Sequence, residues 1–180
     1  DPRVRVMIPL VTSPAELGAA LADVRETLEE VWSAAGRRLD VPLGAMVETP
    51  RAALVAGAIA PLVDFLSFGT NDLTQMTFGF SRDDVEPRLV PRYLELGILA
   101  DDPFRTLDVD GVGVLVRTAV EAARAANPDV EIGVCGEHGG DPDSIAFFDA
   151  VGFDEVSCSA PRVQVARLAA ARAALSDRRR

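Results

Sequence analysis

Lysine is absent from this 180-residue chain, so all 18 of its basic residues are arginines. No lysine is therefore available to form a Schiff base with a substrate. The basic residues are outnumbered by 28 acidic ones, which gives a net charge of -10. Nucleic acids and anionic membrane surfaces both attract basic patches, so this balance argues against either of them as a partner.

Cysteine is scarce and long apolar runs are missing. The two cysteines, Cys135 and Cys158, show no disulfide spacing pattern, which is typical of proteins from a reducing compartment. The chain has no signal-like start and no apolar run of about 20 residues, the length that a membrane span requires. We therefore expect a cytoplasmic protein without a membrane-spanning segment.

The chain does contain a regular alternation of apolar strands and amphipathic helices. With 48% hydrophobic residues, its 180 residues suffice for one domain with a sizeable core. Strands are predicted at Val4–Leu10, Pro42–Glu48, Phe65–Gly69, Glu131–Val134 and Phe153–Cys158. Helices are predicted from a Ser13–Glu16 capping box to Gly36, from Pro50 onward, and over Gly111–Ala126, Asp141–Gly152 and Pro161–Leu175. This order favours a parallel α/β architecture.

The number of strands limits what kind of α/β fold this can be. Five strands do not close an eight-stranded barrel, and a complete (β/α)8 barrel takes roughly 250 residues. The chain is therefore either an open or non-standard sheet, or the later part of a barrel whose first three strands precede Asp1. The start on Asp1, without a methionine, favours the second interpretation. We assign no function to the tail Arg178–Arg180, which we expect to be frayed.

Three of the predicted strands end in polar residues whose side chains can act in catalysis or bind a metal or substrate. Pro42–Glu48 ends in a carboxylate, Phe65–Gly69 is followed by Thr70–Asp72, and Glu131–Val134 is followed by Cys135–His138. In (β/α) barrels, the catalytic residues lie at the carboxyl ends of the strands. The pattern therefore predicts a catalytic surface at one end of the sheet.

Residues 79–107 interrupt the alternation of strands and helices. They hold several charged residues and one short helical candidate, Val90–Leu96. Loops of this length inside a compact domain are usually functional or mobile. We therefore predict a long active-site loop at about residues 79–107.

The polar strand ends belong to longer motifs that resemble the phosphoenolpyruvate-utilising enzymes. Ser67–Gln75 is similar to the signature of that family, and its continuation to Asp84 looks most like the pyruvate phosphate dikinase branch. Cys135–Pro142 and Val156–Ser159 are similar to the same branch. The resemblance implies that residues 1–180 supply about the last five βα units of a phosphoenolpyruvate/pyruvate-binding (β/α)8 TIM-type barrel.

The resemblance implies that Glu48 and Asp72 bind both Mg²⁺ and the substrate. Mg²⁺ prefers hard oxygen donors and is usually held by one or two carboxylates together with substrate oxygens and water. In this family role it would neutralise charge as the enolate of pyruvate forms. The alternative is that each carboxylate merely caps the helix after its strand.

By the same resemblance, Gly69, Thr70 and Asn71 bind the carboxylate or phosphate of the substrate. Their main-chain amides and the Asn71 side chain would make these contacts. A glycine lets the backbone approach a ligand closely, and an asparagine offers both a donor and an acceptor. Without their context, the same residues would indicate only a turn.

The resemblance assigns acid–base catalysis to Cys135, which would add or remove a proton at C3 of pyruvate. A thiol with a pKa tuned toward neutrality can serve in this role. The alternative is a small buried hydrophobe, the interpretation that fits Cys158. His138 is expected to line the active-site loop, because the phosphoryl-carrying histidine of the family lies in a separate domain. Glu137 is expected to orient that loop or to pair with an arginine outside the chain.

Several parts of the family's machinery are expected outside this chain. The arginines that clamp the phosphate and the enolate oxygen would precede residue 1, because Arg51, Arg82 and Arg92 fit solvated or structural roles better. The phosphohistidine and ATP-grasp domains of a longer parent chain would supply the ATP-dependent half-reaction. The overall reaction that the resemblance implies converts ATP, phosphate and pyruvate to AMP, diphosphate and phosphoenolpyruvate. A homodimer is also expected.

Three other functions are compatible with these motifs. One is enzyme I of the phosphoenolpyruvate-dependent phosphotransferase system, in which a small carrier protein replaces the nucleotide as partner. A second is a metal-dependent pyruvate-enolate lyase or aldolase, which would keep the two carboxylates but would not need Cys135. A third is a non-catalytic association module, because a truncated barrel exposes strand edges.

Overall fold

The computed structural model of the chain describes residues 3–177 and contains a five-stranded parallel sheet. The strands lie side by side in chain order as β1 (Val6–Ile8), β2 (Leu43–Val47), β3 (Phe65–Gly69), β4 (Glu131–Cys135) and β5 (Glu155–Val156). Every neighbouring pair is parallel. The predicted α/β architecture is therefore confirmed. The tail Arg178–Arg180 lies outside the described residues.

Helices connect the strands and cover one face of the sheet. Their bounds are α1 (Pro14–Ala35), α2 (Pro50–Leu54), α3 (Ala56–Ile59), α4 (Thr70–Phe78), α5 (Arg82–Val85), α6 (Leu89–Glu95), α7 (Val112–Ala126), α8 (Pro142–Val151) and α9 (Val163–Asp177). Short 3-10 turns lie at Ala60–Leu62, Glu137–Gly140 and Ala160–Arg162. Among the residues described, no helix is both long and apolar enough to cross a membrane.

The ends of α1 show how local sequence sets local structure. The Ser13 hydroxyl caps the helix by accepting the Glu16 N–H at 3.2 Å, as the predicted capping box requires. The Glu16 carboxylate differs from that motif, because it accepts the backbone N–H and the hydroxyl of Thr12 at 2.8 and 2.7 Å instead of the N-cap amide. Gly36 ends the helix in the left-handed conformation, with φ at 62°.

The outer face of the sheet carries the main hydrophobic core. Alternate strand residues such as Ala45, Leu66, Phe68 and Ile132 are fully buried there. They belong to one cluster with apolar side chains of α1, α2, α3 and α7. This packing fixes the strands, and hence the position of their carboxyl ends.

The inner face of the sheet is concave. The guanidinium of Arg5, directly before β1, lies 2.7 Å from Glu131 on β4, 3.2 Å from Glu155 on β5 and 4.0 Å from the ring centroid of Phe65 on β3. Strands four places apart in a flat sheet are about 19 Å from each other, too far for such an ion pair. The sheet therefore curls toward this face, which is consistent with part of a TIM-type barrel.

Several predicted segments differ from the structure. The strand predicted at Val4–Leu10 is shorter, because β1 is an edge strand that pairs only with β2. The strand predicted at Phe153–Cys158 is shorter, because β5 is an edge strand that pairs only with β4, and Cys158 lies beyond its end. The connection at residues 79–107 holds two short helices, α5 and α6, where the sequence indicates one. The predicted one is α6, whereas α5 has only four residues and is too short to show an apolar period.

Candidate active site

The carboxyl ends of β2, β3 and β4 bring the predicted site residues to one edge of the sheet. Glu48 follows the last residue of β2, and Gly69 ends β3. Gly69 is the register partner of Cys135, the last residue of β4. Asp72 lies in the first turn of α4, which starts directly after Gly69. Residues far apart in the chain are therefore neighbours here.

Gly69 lies at the centre of this edge. A Cβ atom on Gly69 would lie 2.7 Å from Oε2 of Glu48 and 3.0 Å from Sδ of Met46. The Glu48 carboxylate thus covers the bare Cα of Gly69. A glycine is needed here because of this close approach, since its φ of -83° suits any residue.

Glu48 is a buried carboxylate with a fixed orientation. It is 5% exposed, and its Oε1 accepts the backbone N–H of Leu10 at 2.6 Å. Leu10 has a φ of 51°, a left-handed conformation that is costly for a bulky residue other than glycine. Burial raises the pKa of Glu48, the Leu10 hydrogen bond opposes this rise, and the nearby Asp72 adds to it.

Asp72 is half-buried and is held by its own helix. Its Oδ1 accepts the Gln75 side-chain amide at 3.3 Å. Glu48 and Asp72 are therefore two neighbouring carboxylates whose repulsion a divalent cation would relieve. In the described part of the chain, no group of three or more Asp, Glu, His or Cys side chains is arranged to hold a metal. The pair fits Mg²⁺, which usually takes one or two protein carboxylates.

Cys135 is half-buried beside the two carboxylates. Its thiol donates weakly to the Phe68 carbonyl, at 3.6 Å. Burial raises the pKa of the Cys135 thiol, a hydrogen bond with Ser67 lowers it, and the charges of Glu48 and Asp72 raise it further. This differs from the expected tuning toward neutrality. The thiol is held protonated, which suits a proton donor better than a base.

Asn71 links α4 to the loop that follows β4. Its Oδ1 accepts the Glu137 N–H at 3.4 Å. A Cβ atom at Gly136, where φ is 108°, would lie 3.1 Å from the same oxygen. The Asn71 carbonyl is thus engaged within the protein, and its amino group is the part of the side chain that could donate to an anion.

Thr70 and His138 are both fully buried, which the sequence did not indicate. The Thr70 hydroxyl lies 2.8 Å from Nδ1 of His138 and 3.3 Å from the Cys135 carbonyl. The other ring nitrogen of His138, Nε2, lies 2.9 Å from the Pro103 carbonyl. His138 therefore lies against the connection at residues 79–107, as expected, but it is buried there, and a lone histidine in a glycine-rich segment gives no sign of that burial.

Glu137 and the three arginines considered as anion contacts have local partners. Glu137 pairs with Arg162 at 3.4 Å, an arginine within the chain and not outside it. Arg82 pairs with Glu86 at 3.1 Å, Arg92 pairs with Glu95 at 2.8 Å, and Arg51 donates to the Thr12 carbonyl. These local contacts agree with the solvated or structural roles that we expected for the three arginines. Cys158 packs beside a small apolar cluster of Ile145, Ala166 and Ala169, as expected for a small hydrophobe.

The protein thus has a site made of two carboxylates and a thiol at the carboxyl ends of parallel strands. Its side chains are those of Glu48, Asp72 and Cys135. The family model for the PEP-utilising enzyme, PEP-binding domain, matches residues 2–175. The chain therefore belongs to the family of phosphoenolpyruvate-utilising enzymes, as its motifs predicted.

Within that family, the chain is similar to pyruvate, phosphate dikinases. It is 54% identical over 170 residues to pyruvate, phosphate dikinase 2 of Oryza sativa subsp. japonica, across 94% of this chain and 19% of the relative. It is 55% identical over 166 residues to the chloroplastic pyruvate, phosphate dikinase of Mesembryanthemum crystallinum, across 92% of this chain and 17% of the relative. The corresponding chloroplastic enzyme of Arabidopsis thaliana is 53% identical over 166 residues. The chain spans less than a fifth of the length of these curated relatives.

Proposed function

We propose that this chain is the C-terminal catalytic portion of a pyruvate phosphate dikinase and interconverts pyruvate and phosphoenolpyruvate. The observation that carries the proposal is that Glu48, Asp72 and Cys135 lie close together at the edge of the sheet where Gly69 ends β3. In the whole enzyme, ATP, phosphate and pyruvate would give AMP, diphosphate and phosphoenolpyruvate. A phosphohistidine on another domain would carry the phosphoryl group.

Glu48 and Asp72 are the residues that would hold Mg²⁺. When bound, the ion would supply positive charge to the carboxylate and enolate oxygens of the substrate. The Leu10 N–H keeps one oxygen of Glu48 engaged at 2.6 Å, so the other oxygen, which covers Gly69, is the one left for a ligand. The amino group of Asn71 and the main-chain amides of the first turn of α4 would orient the substrate's anionic groups.

Cys135 would exchange a proton with C3 of the three-carbon substrate. In the direction of pyruvate formation, its protonated thiol would deliver a proton to one face of the enolate. In the opposite direction, the thiolate would remove a proton from the methyl group. The nearby carboxylates and the burial of Cys135 favour the protonated form in the absence of substrate.

The curled sheet supports the proposal that the five strands complete a (β/α)8 barrel with three strands from an earlier part of the same polypeptide. The ATP-grasp and phosphohistidine domains, and the arginines that bind phosphate, would also come from that polypeptide. We further propose a homodimer. A cytoplasmic location remains a prediction, since relatives named above are chloroplastic.

The proposal is tested by exchange of the methyl protons of pyruvate with solvent in the complete enzyme, followed by NMR in deuterium oxide. We expect exchange that depends on Mg²⁺ and that falls by about 10²-fold or more in Cys135→Ala. Cys158→Ala is the matched control and should exchange at the wild-type rate. Exchange at the wild-type rate in Cys135→Ala would remove the thiol from its role.

The metal ligands are tested by direct binding of Mn²⁺, observed by electron paramagnetic resonance, in the same enzyme. Glu48→Gln and Asp72→Asn should each weaken Mn²⁺ binding by about tenfold or more and abolish turnover, because each removes one anionic ligand. Asp110→Asn changes an exposed carboxylate and should leave the affinity unchanged. Wild-type affinity in both site variants would contradict the assignment.

A further inference from the structure

His138 is the one histidine of the chain, and both of its ring nitrogens are engaged in a fully buried setting. Nε2 lies 2.9 Å from the carbonyl oxygen of Pro103, and Nδ1 lies 2.8 Å from the hydroxyl oxygen of Thr70. A carbonyl oxygen can only accept a hydrogen bond, so Nε2 must carry a proton. Whether Nδ1 is protonated then decides whether the Thr70 hydroxyl accepts or donates the hydrogen bond between them.

Burial sets the charge of the ring. It lowers the pKa of His138 below the usual range, while the Pro103 carbonyl, Asp141 and Glu137 oppose this change and Arg82 adds to it. The ring is therefore neutral near pH 7, and Nδ1 is an acceptor. The Thr70 hydroxyl has one proton and two acceptors within reach, Nδ1 of His138 at 2.8 Å and the Cys135 carbonyl at 3.3 Å, and the shorter distance favours donation to Nδ1.

We propose that His138 is a positioning residue that holds the first turn of α4 in its substrate-binding geometry through the Thr70 hydroxyl. This inference rests on the proposed function, in which Asn71 and Asp72 of that turn bind substrate and metal. His138 itself does not contact the reacting atoms. It acts on them through a hydroxyl one residue before Asn71 and two residues before Asp72.

The His138 ring also connects the first turn of α4 to the long connection at residues 79–107. Pro103 precedes Phe104, which is fully buried, and the Leu107 N–H donates to Ser144 Oγ at 2.9 Å. The end of the connection is thus anchored at three successive points next to the site. His138 joins one of these points to Thr70, so it couples the position of the connection to that of the substrate-binding turn.

Two substitutions separate the two contacts of the ring. Asparagine places a polar group near the position of Nδ1 and so can keep the contact with Thr70, whereas glutamine reaches toward the position of Nε2 and can keep the contact with Pro103. We expect His138→Gln to raise the KM for phosphoenolpyruvate by about tenfold in the complete enzyme, with a smaller change in kcat, because a buried hydrogen bond to the turn is lost. His138→Asn should keep a KM within about twofold of the wild type.

Hydrogen exchange at residues 99–107, measured by mass spectrometry on the complete enzyme, should give the reverse result. His138→Asn should speed exchange there, because the Pro103 contact is lost, and His138→Gln should not. If His138 served only the stability of the fold, the KM and the rate of hydrogen exchange at residues 99–107 would both rise in both variants. Parallel changes in KM and in exchange would therefore overturn the proposal.

Thr70 and Thr74 provide a matched pair on α4. Both are fully buried, but Thr74 Oγ1 has no hydrogen-bond partner within the described residues. Thr70→Val removes the hydroxyl and should raise the KM as His138→Gln does. Thr70→Ser keeps the hydroxyl and should have the KM of the wild type. Thr74→Val should also leave the KM unchanged. An unchanged KM in Thr70→Val, in an enzyme that still exchanges pyruvate protons, would overturn the positioning role alone. If the wild-type enzyme itself does not exchange the methyl protons of pyruvate, the proposed function is overturned, and with it the reaction that His138 would serve.

Discussion

At the scale of single residues, the position of the Glu48 carboxylate depends on the absence of a side chain at Gly69. Alanine at this position would place a methyl group 2.7 Å from Glu48 Oε2 and 2.8 Å from Glu48 Cβ, so the carboxylate would have to move. A displacement of about 1 Å in a catalytic group can cost about 10²-fold in rate. We predict a loss of that size in kcat/KM for Gly69→Ala, measured by steady-state kinetics of the complete enzyme.

The control for this prediction is Gly18, in the second turn of α1. A Cβ atom there would meet nothing within 4 Å. Gly18→Ala should leave the kinetics unchanged and stabilise the protein by up to about 1 kcal/mol, because alanine favours helix. If Gly69→Ala keeps the Mg²⁺ dependence and rate of the wild type, the close approach of Glu48 has no role in catalysis.

The sequence was sufficient to predict that Glu48, Asp72 and Cys135 meet, and the reason is geometric. Each follows or ends a strand of one parallel sheet, and the carboxyl ends of such strands share an edge. The hydrogen bond from Leu10 to Glu48 was not predictable, because it uses a backbone amide 38 residues away. The burial of His138 was missed for a related reason, since it depends on where Pro103 lies in three dimensions.

At the scale of elements, the connection at residues 79–107 is held at its end by side chains of the Cys135–Ser144 segment. The Leu107 N–H donates to Ser144 Oγ at 2.9 Å, and that hydroxyl donates to Asp141 Oδ2 at 2.6 Å. Both Leu107 and Ser144 are buried, so removal of the hydroxyl would leave the amide without a partner. The Cys135–Ser144 segment therefore both carries the thiol and anchors the connection.

We predict that Ser144→Ala destabilises this anchor by about 1–3 kcal/mol, the cost of an unsatisfied buried amide. The measurement is hydrogen exchange at residues 103–107 of the complete enzyme, which should become faster. Ser176→Ala on α9 removes an exposed hydroxyl that donates to the Arg172 carbonyl at 2.9 Å, and it should change stability by less than about 0.5 kcal/mol. Equal protection in Ser144→Ala and in the wild type would show that the anchor lies elsewhere.

The bounds of the strands show what the sequence can predict about elements. The predicted bounds of β3 are those observed, because this strand has a neighbour on each side and a run of buried residues. The edge strands β1 and β5 are shorter than predicted, because each has only one neighbour with which to form hydrogen bonds. An apolar run predicts the existence of a strand, but its length also depends on its partners.

At the scale of the whole molecule, the curl of the sheet is visible in one charged cluster. Arg5 reaches Glu131 on β4 and Glu155 on β5, so it joins the first strand to the last two across the concave face. The sequence did not predict this cluster, because its members are up to 150 residues apart. The side chains are 34–50% exposed, so each ion pair is worth at most about 1 kcal/mol.

This cluster makes the stability of the curled sheet depend on pH. The hydrogen bond from Arg5 is the main cause that lowers the pKa of Glu131 below its ordinary value of 4.5. A carboxylate with a lowered pKa contributes stability above the pKa of the unfolded chain and loses it as the pH falls through the folded pKa. The protection of β4 and β5 amides should therefore fall below about pH 4.5, and Arg5→Leu should lack this part of the fall.

The measurement is hydrogen exchange of the β4 and β5 amides in the complete enzyme, corrected for the intrinsic effect of pH. Arg5→Leu should also lower their protection at neutral pH, by an amount that shrinks in about 1 M salt because screening weakens exposed pairs. Arg92→Leu is the matched control, since Arg92 pairs with Glu95 at 2.8 Å within α6 and joins no strands. If Arg5→Leu and Arg92→Leu give the same pH profile as the wild type, packing of the outer face alone maintains the curl. A selective change in Arg5→Leu means that charges on the concave face hold the first and last strands of the sheet together.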